Sequence, residues 1–509
     1  MTQKTLAMTP KGVTIRRPAT VLLVLALYFI VNIGVRYIIP HGLELDEAEQ
    51  TYFSQWMLTG YSSQPPFYNW LQYGVIHLFG TSLLSLTALK NVMLFSTYLF
   101  YWLAAREALG EKRLAVVAAL SLLTIPQVAF EAQRDLSHTV AAMFGTAFFL
   151  FAFLRVVNRA SVGTFLLLGI AIGIGGLTKY NFAIIPIAAL LAVAVDRDLR
   201  SRLFDWRIVI SIVVALAILS PHLSWLVENG QSASSHTMRK MLGNDTNILI
   251  GIVQGLGSLA MAVIAFLALT IVVLAAVFRE NLGQILKASN PKTRLIGRIL
   301  VICIGAIVLM ILFGGVERVR DRWLTPILLI APLYLAIKVD ASRIDAGRGI
   351  RRLWGVAAVI MVLIPVALLG RALQGHYLGK YNYPNIPFPN LARTITPMAM
   401  QPGTIIIASD GHLGGNMRFN LPNVPVQLLR PPTGLVPTPL SHYRRAVFVW
   451  RNSDSSPPKT FEETFGNYLK RNGLSAENAS TAIAGFPYLW GSPTDQSLFG
   501  YAVMDLPQN

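Results

Sequence analysis

The sequence predicts an all-α polytopic membrane domain of about eleven transmembrane helices, followed by a small C-terminal α/β or α+β domain, and three observations carry that prediction. The 509 residues are 54% hydrophobic and only 13% charged, where soluble proteins carry about a quarter charged residues. The deficit is concentrated upstream of position 372, in long apolar runs separated by short charged links. Beyond that position the chain turns to short β-type runs and proline-rich turns. It therefore divides into a membrane domain over 1–372, with a long outer loop at 40–83, and a second domain over 373–509.

Crossing a bilayer takes about 20 apolar residues per helix. Runs that meet this need lie near 19–39, 84–105, 114–130, 136–154, 161–177, 181–195, 207–226, 248–278, 297–313, 323–339 and 353–372. The first is too long for a cleaved h-region and lacks a small-residue cleavage site before His41, so it reads as an anchor. Lys4, Lys11, Arg16 and Arg17 precede it and place the N-terminus in the cytoplasm. With that start, inner links hold 23 Lys and Arg against 7 in the outer links, the asymmetry of a multi-pass protein of a bacterial inner membrane. The net charge of +18 is thus explained by orientation in the bilayer and calls for no nucleic acid. Cys303 is the only cysteine, so no intrachain disulfide exists.

An odd number of spans puts the tail on the outer, periplasmic side. Its runs TIIIAS at 404, RAVFVW at 445 and YAVMDL at 501 read as strands, and FEETFGNYLKR at 461 reads as a helix. From Arg371 on it holds 11 Lys and Arg against 7 Asp and Glu, an excess suited to positioning an anionic acceptor, with no catalytic cluster of its own. The segment GHLGGNMRFNLPN at 411–423 is either a simple turn or part of an acceptor groove.

The chemistry gathers on the outer face. The loop 40–83 contains Glu44, Asp46, Glu47 and Glu49 and no lysine or arginine. Tyr52, Phe53, Trp56 and Met57 fall at helical spacing, Pro65-Pro66 interrupts the chain, and Tyr68, Trp70 and Tyr73 follow, a pattern of interfacial helices. Acids at a helix start have an ordinary reading as a solvated N-terminus. Other ionisable groups near span ends fall on the same face, however: Asp135, Lys179 and Arg322. Carboxylates beside cations are what transfer away from a phosphate leaving group requires, a base for the acceptor's proton and positive charge for the departing phosphate. There is no Walker loop and no dinucleotide fingerprint. Gly173, Gly175 and Gly176 sit inside an apolar run and suit close helix packing. The activated group would then come from a lipid-linked donor.

Asp46-Glu47-Ala48, QPPFYNW at 64–70, RDLSHT at 134–139, GLTKYN at 176–181 and RWLTP at 322–326 together resemble the multi-span GT-C glycosyltransferases of the protein O-mannosyltransferase and lipid A aminoarabinose transferase type. The resemblance covers roughly 15–340, and LELDEAEQ with the basic tail is similar to the bacterial lipopolysaccharide galacturonosyltransferase branch. It implies a GT-C-like fold, a polyprenyl-phosphate sugar donor, an envelope glycolipid acceptor such as lipid A or lipopolysaccharide core, and transfer with inversion. It also implies Asp46 as the base, with Glu47 positioning Asp46 or the acceptor; Asp135 is a further catalytic candidate, and Gln64 and Tyr68 are candidate substrate contacts. Relatives read D-E-x-x-Y and K-P-P where this chain has Gln50 and Gln64. The phosphate contact therefore passes to Lys179 and Arg322, with Arg320 and Arg318 in reserve, because a guanidinium grips phosphate bidentately.

No cofactor is assigned. A divalent metal ion is the one candidate, with Asp46, Glu47, Asp135 and His138 as ligands, although a lone histidine at a span end is more often a packing residue. His138 is otherwise a substrate contact. So is His236, in the Ser-rich link QSASSHTMRK, which is either an ordinary loop or a lid over the donor. Three other functions compete: a flippase of lipid-linked sugars, which would favour paired repeats and mid-bilayer groups, a protein O-glycosyltransferase, and an envelope scaffold.

Overall fold

The computed structural model describes residues 20–241, 248–452 and 459–507, without the side chains of 231–241. Apolar runs become helices in chain order. α1 (Thr20–Ile38) leads to the short α2 (Leu45–Phe53) and α3 (Phe67–Phe79) of the outer loop, and then to α4 (Leu83–Ala108). α5 (Ala115–Ser121), α6 (Ala132–Arg134), α7 (His138–Asn158), α8 (Val162–Gly176), α9 (Ile184–Ala194) and α10 (Arg197–Leu203) follow. The long α11 (Ile208–Met241) and α12 (Ile248–Val277) precede α13 (Leu282–Lys287) and α14 (Pro291–Gly314). α15 (Asp321–Leu328), α16 (Ile330–Ala341) and α17 (Gly347–Leu378) complete the helical part.

Among the described residues eight helices are long and apolar enough to cross a membrane, or nine if the segments Lys112–Thr124 and Gln127–Arg134 form one span. Three of the eleven expected runs do not form long straight helices. The run at 114–130 is bent by 76°, at Pro126, after which a π-helical turn (Gln127–Glu131) replaces regular α-helix. The other two are Val162–Gly176 and Tyr180–Ala194, which at 1.5 Å per residue reach about 22 Å, short of a hydrocarbon core of about 30 Å. The glycines of α8 do permit close packing. A Cβ on Gly173 would stand 2.8 Å from Ile218 Cβ, and one on Gly176 would stand 2.9 Å from Leu219 Cδ2, so α8 and α11 lie tightly together. The outer link expected at 227–247 is largely a continuation of α11, whose helix runs on to Met241.

The tail forms α18 (Phe388–Ala399), β1 (Thr404–Ala408), α19 (Gly411–Asn420), β2 (Val426–Leu428), β3 (Arg445–Arg451), α20 (Phe461–Arg471), β4 (Ser480–Pro487) and β5 (Gln496–Asp505). All three expected strands and the expected helix are present. The sheet order is β2-β1-β3-β5-β4, with β1 parallel to β2 and β3, and β5 antiparallel to β3 and β4. Residues alternate between its faces as the period of two requires. Ile405, Ile407, Phe448 and Trp450 pack on Phe461, Phe465 and Leu469 of α20. Ile406, Ala408, Val447 and Val449 share the other core with Tyr52, Phe53 and Tyr61. The outer loop is thus embedded in the hydrophobic core of the tail. The segment at 411–423, expected as a turn or groove, is mainly the helix α19, capped by Asp410, and it crosses α2 so closely that a Cβ on Gly415 would stand 2.0 Å from the Ala48 carbonyl oxygen.

Candidate active site

Glu44 stands at the N-cap of α2, whose first turn carries Asp46 and Glu47. They are no solvated helix start: Glu44 is 2% exposed and Glu47 6%. Glu47 accepts from the Glu44 N–H at 3.1 Å and forms ion pairs with two cations on spanning helices. Arg36 of α1 reaches it at 2.7 Å while also donating to the carbonyls of Pro40 and Gly42. Lys90 of α4 lies 3.7 Å away and donates to the Gln133 carbonyl. Burial would raise the Glu47 carboxyl, but the charges of Arg36 and Lys90 outweigh it and hold the group at about 2. Glu44 pairs with Arg371 near the C-terminal end of α17. Burial dominates there and raises the Glu44 carboxyl above its ordinary range.

Asp46 turns to the other side of α2. After α6 the backbone passes through Leu136, whose φ of +62° lies in the left-handed region, a conformation that costs a leucine about 1–3 kcal/mol. That turn brings Asp135 and Ser137 to Asp46 together. The Asp46 N–H donates to Asp135 Oδ1 at 3.0 Å. Asp46 Oδ2 accepts from the Ser137 N–H at 2.7 Å and from its hydroxyl at 3.1 Å. Asp46 Oδ1 is left without a protein donor among the described residues. Burial, with the charges of Asp46 and Glu44, pushes Asp135 well above the usual carboxylate range.

Asp46, Glu47, Gln50, Tyr68, Gln72, Lys90, Asp135 and Ser137 line one polar pocket. Gln50, at the position where relatives carry tyrosine, is buried and donates to Ser137 Oγ and His138 Nε2, each at 3.3 Å, while its own oxygen accepts from Asn69. Tyr68 stacks obliquely beside His138 at 6.3 Å between ring centres, and burial followed by the charges of Glu47, Asp46 and Asp135 raises its phenol. On the far side of His138, Lys179 donates to Thr139 Oγ1 and to the Arg322 carbonyl, both at 3.1 Å. Burial and the neighbouring Arg322 charge lower Lys179 to about 8, against the opposing pull of Asp46 and Asp321.

The expected residues Asp46, Glu47, Asp135 and Tyr68 therefore meet in one pocket, with His138 beside it against Gln50; Lys179 stands next to them on Thr139, and the exposed Arg322 reaches Lys179 through its backbone carbonyl. Arg320 stands at the edge, its guanidinium 5.9 Å from the Trp323 ring centre. Gln64 is in a turn paired with Tyr61 and outside the pocket lining. His236 lies in the part of α11 whose side chains fall outside the described residues. Among the described residues no group of three or more His, Cys, Asp or Glu is placed to hold a metal ion. Glu47 is consumed by cations, Asp46 Oδ2 by Ser137, and His138 Nε2 by Gln50. Arg36 and Lys90 were not anticipated. The signal for both was available, since a charge inside an apolar run is costly and is kept for a partner.

Two curated relatives share most of this chain's length. Lipopolysaccharide core galacturonosyltransferase RgtB of Rhizobium johnstonii is 42% identical over 489 residues, covering 95% of this chain and 97% of the relative. RgtA of the same organism, with the same description, is 41% identical over 94% and 96%. The chain belongs to this family. It is a membrane glycosyltransferase, and transport and scaffold readings fall away. The family described as dolichyl-phosphate-mannose-protein mannosyltransferase matches residues 63–225. Among solved structures, ArnT from Cupriavidus metallidurans bound to undecaprenyl phosphate shares the fold, with a TM-score of 0.63, 15% identity, and coverage of 95% of this chain and 97% of that one. The mycobacterial arabinofuranosyltransferase AftD follows at a TM-score of 0.52, 15% identity, over 96% of this chain and 40% of its own.

Proposed function

We propose that this transferase moves a galacturonosyl unit from a polyprenyl-phosphate donor to a lipopolysaccharide core or lipid A acceptor, with inversion, on the periplasmic side of a bacterial inner membrane. In this reading eleven crossings, three of them short or bent, put 373–509 in the periplasm, and the N-terminus is cytoplasmic. The observation that carries the site is the Asp46 carboxyl group, held through one oxygen by Ser137 and within electrostatic reach of the Lys179 cation.

Asp46 takes the proton of an acceptor hydroxyl. The acceptor oxygen bonds to the anomeric carbon from the face opposite the phosphate, the carbon–oxygen bond to phosphate breaks, and polyprenyl phosphate leaves with the electron pair. Lys179 and Arg322 neutralise that phosphate. Asp135 accepts from the Asp46 N–H and holds that residue in place, and Glu47, locked by Arg36 and Lys90, fixes α2 so that Asp46 keeps its aim. Tyr68, His138 and Gln50 shape the pocket. Gln64, outside this lining, would contact substrate only if the loop 54–66 closes on it, and His236 is kept as a candidate substrate contact.

The test is transfer from polyprenyl-phosphate galacturonic acid to acceptor lipopolysaccharide by purified protein. Asp46→Asn should lower the rate by about 100-fold or more, the usual scale of a lost general base, without unfolding. Near-normal transfer by a folded Asp46→Asn protein would remove Asp46 from that role.

A further inference from the structure

α14 leads from Pro291 to Gly314, and the chain then reaches Asp321 and Arg322 beside the active site. Its first turns therefore lie at the other end of the bundle, about 36 Å away for 24 residues. There α14 and α16 part to form a cleft of about 570 Å³ lined by Ser289, Arg294, Gly297, Arg298, Val301 and Tyr334 among others. Gly297 lets the two helices approach here: a Cβ there would stand 3.2 Å from the Tyr334 ring, so the phenol packs against α14 at the cleft. The wall deeper along α14 is apolar, with Val301 72% exposed.

The mouth is cationic. Arg298 is oriented by Asp196 at 2.9 Å. Lys338 closes the other side, its ammonium held by the Leu286 and Ala288 carbonyls at the end of α13. Arg294 is exposed and makes no ion pair among the described residues. On the other side of the Asp196–Arg298 pair, α10 adds a second basic cleft lined by Arg197, Arg200 and Phe204, and Trp206 beyond it is 70% exposed. A short basic helix followed by exposed aromatic rings has the composition of a membrane-interface element.

Basic residues at this end also orient the protein, but orientation requires neither a cleft nor an apolar wall beneath the charges. We propose that the α14–α16 cleft binds one anionic phospholipid of the adjacent leaflet, its phosphate on Arg294 and Arg298 and its acyl chain along Leu300 and Val301. Charge complementarity at the mouth and an apolar, lipid-facing wall below it select this occupant over a soluble anion, which has no use for the wall, and over a zwitterionic lipid, whose ammonium meets three cations.

Native mass spectrometry of the full-length protein released from nanodiscs of equal phosphatidylglycerol and phosphatidylcholine reads the site directly. The wild type should retain phosphatidylglycerol in preference to phosphatidylcholine. Arg294→Gln should reduce that retention about five-fold, the worth of one cation near an anionic lipid, and Val301→Trp, which fills the wall without altering charge, should reduce it as well. Arg348→Gln, at the same end but outside the cleft, should leave it unchanged. Equal retention of the two lipids by wild type, an equal fall in Arg348→Gln, or full retention in both cleft variants would each overturn the proposal. Because Val301 faces lipid, the second variant keeps the test valid if Arg294→Gln fails to fold.

Discussion

The two ends of the helical bundle are both rich in ion pairs, and the pairs differ in kind. At the site end, Arg36 and Glu47 are each 6% exposed and stand 2.7 Å apart. At the opposite end, Arg352 and Glu280 show the same separation at 37% and 45% exposure. Equal distances carry unequal consequences. The exposed pair is screened and costs side-chain entropy, so it contributes little. The buried pair gains no more net stability than a well-packed apolar pair would, yet removing one member leaves a charge stranded. Its value lies in fixing α2 to α1 and α4 in one register, with Asp46 on the pocket side. The contrast separates charge used for orientation from charge used for precision.

The largest expected break in that contrast is Glu47→Ala, which strands Arg36 and Lys90 and should destabilise the protein by about 3–5 kcal/mol, measured by chemical denaturation in detergent. Glu280→Ala should leave the denaturation midpoint unchanged. Comparable losses from both would erase the distinction between the ends.

The next effect concerns the tail. Gly415→Val drives a side chain into the Ala48 carbonyl and must shift α19 from α2. A displacement of about 1 Å at the site can cost about 100-fold in rate, so the turnover number should fall steeply while the sheet persists by circular dichroism. Gly466→Val on α20, where the nearest atom is 3.5 Å away and belongs to a side chain, should change turnover little.

A smaller effect is read by pH. Lys179, lowered to about 8, loses its charge as pH rises through that value, so kcat/KM should decline on an alkaline limb near pH 8. Lys179→Arg should move the limb upward while keeping donor affinity. The smallest effect is on stability at mild acidity. Glu47 has its folded value depressed to about 2, below the unfolded value of about 4.3. Its stabilisation is therefore complete above about pH 4.3 and is lost only as pH falls from there towards 2. Denaturation midpoints of wild type at pH 7 and pH 5 should show no loss attributable to Glu47.

The comparison of ends also marks what the sequence made legible. Helices and strands followed from composition and periodicity because burial is written into them: TIIIA became β1 and FEETFGNYLKR became α20. Asp46, Asp135 and Lys179 were legible because acids and cations near span ends fell on one face. Arg36 and Lys90 were overlooked inside apolar runs, where helix periodicity hides which way a side chain faces. β2 and β4 escaped because three residues are too few for a pattern, and Ser480–Pro487 lies at the sheet edge with only half-buried inward positions. The crossing of α19 over α2 joins residues more than 360 positions apart, and no local signal reports such a contact. The bend at Pro126 was readable in principle, but a proline alone does not distinguish a kinked span from a broken one.

The central claim, a lipid-linked galacturonosyl transfer run by Asp46, meets its most direct test in the lipopolysaccharide of cells lacking the gene and complemented with wild type or Asp46→Asn. The account predicts that deletion removes the mass of one or more uronic acid units, that wild type restores it, and that the Asn variant, expressed at equal level in the membrane, does not. An unchanged lipopolysaccharide mass on deletion, or full restoration by Asp46→Asn, would contradict it.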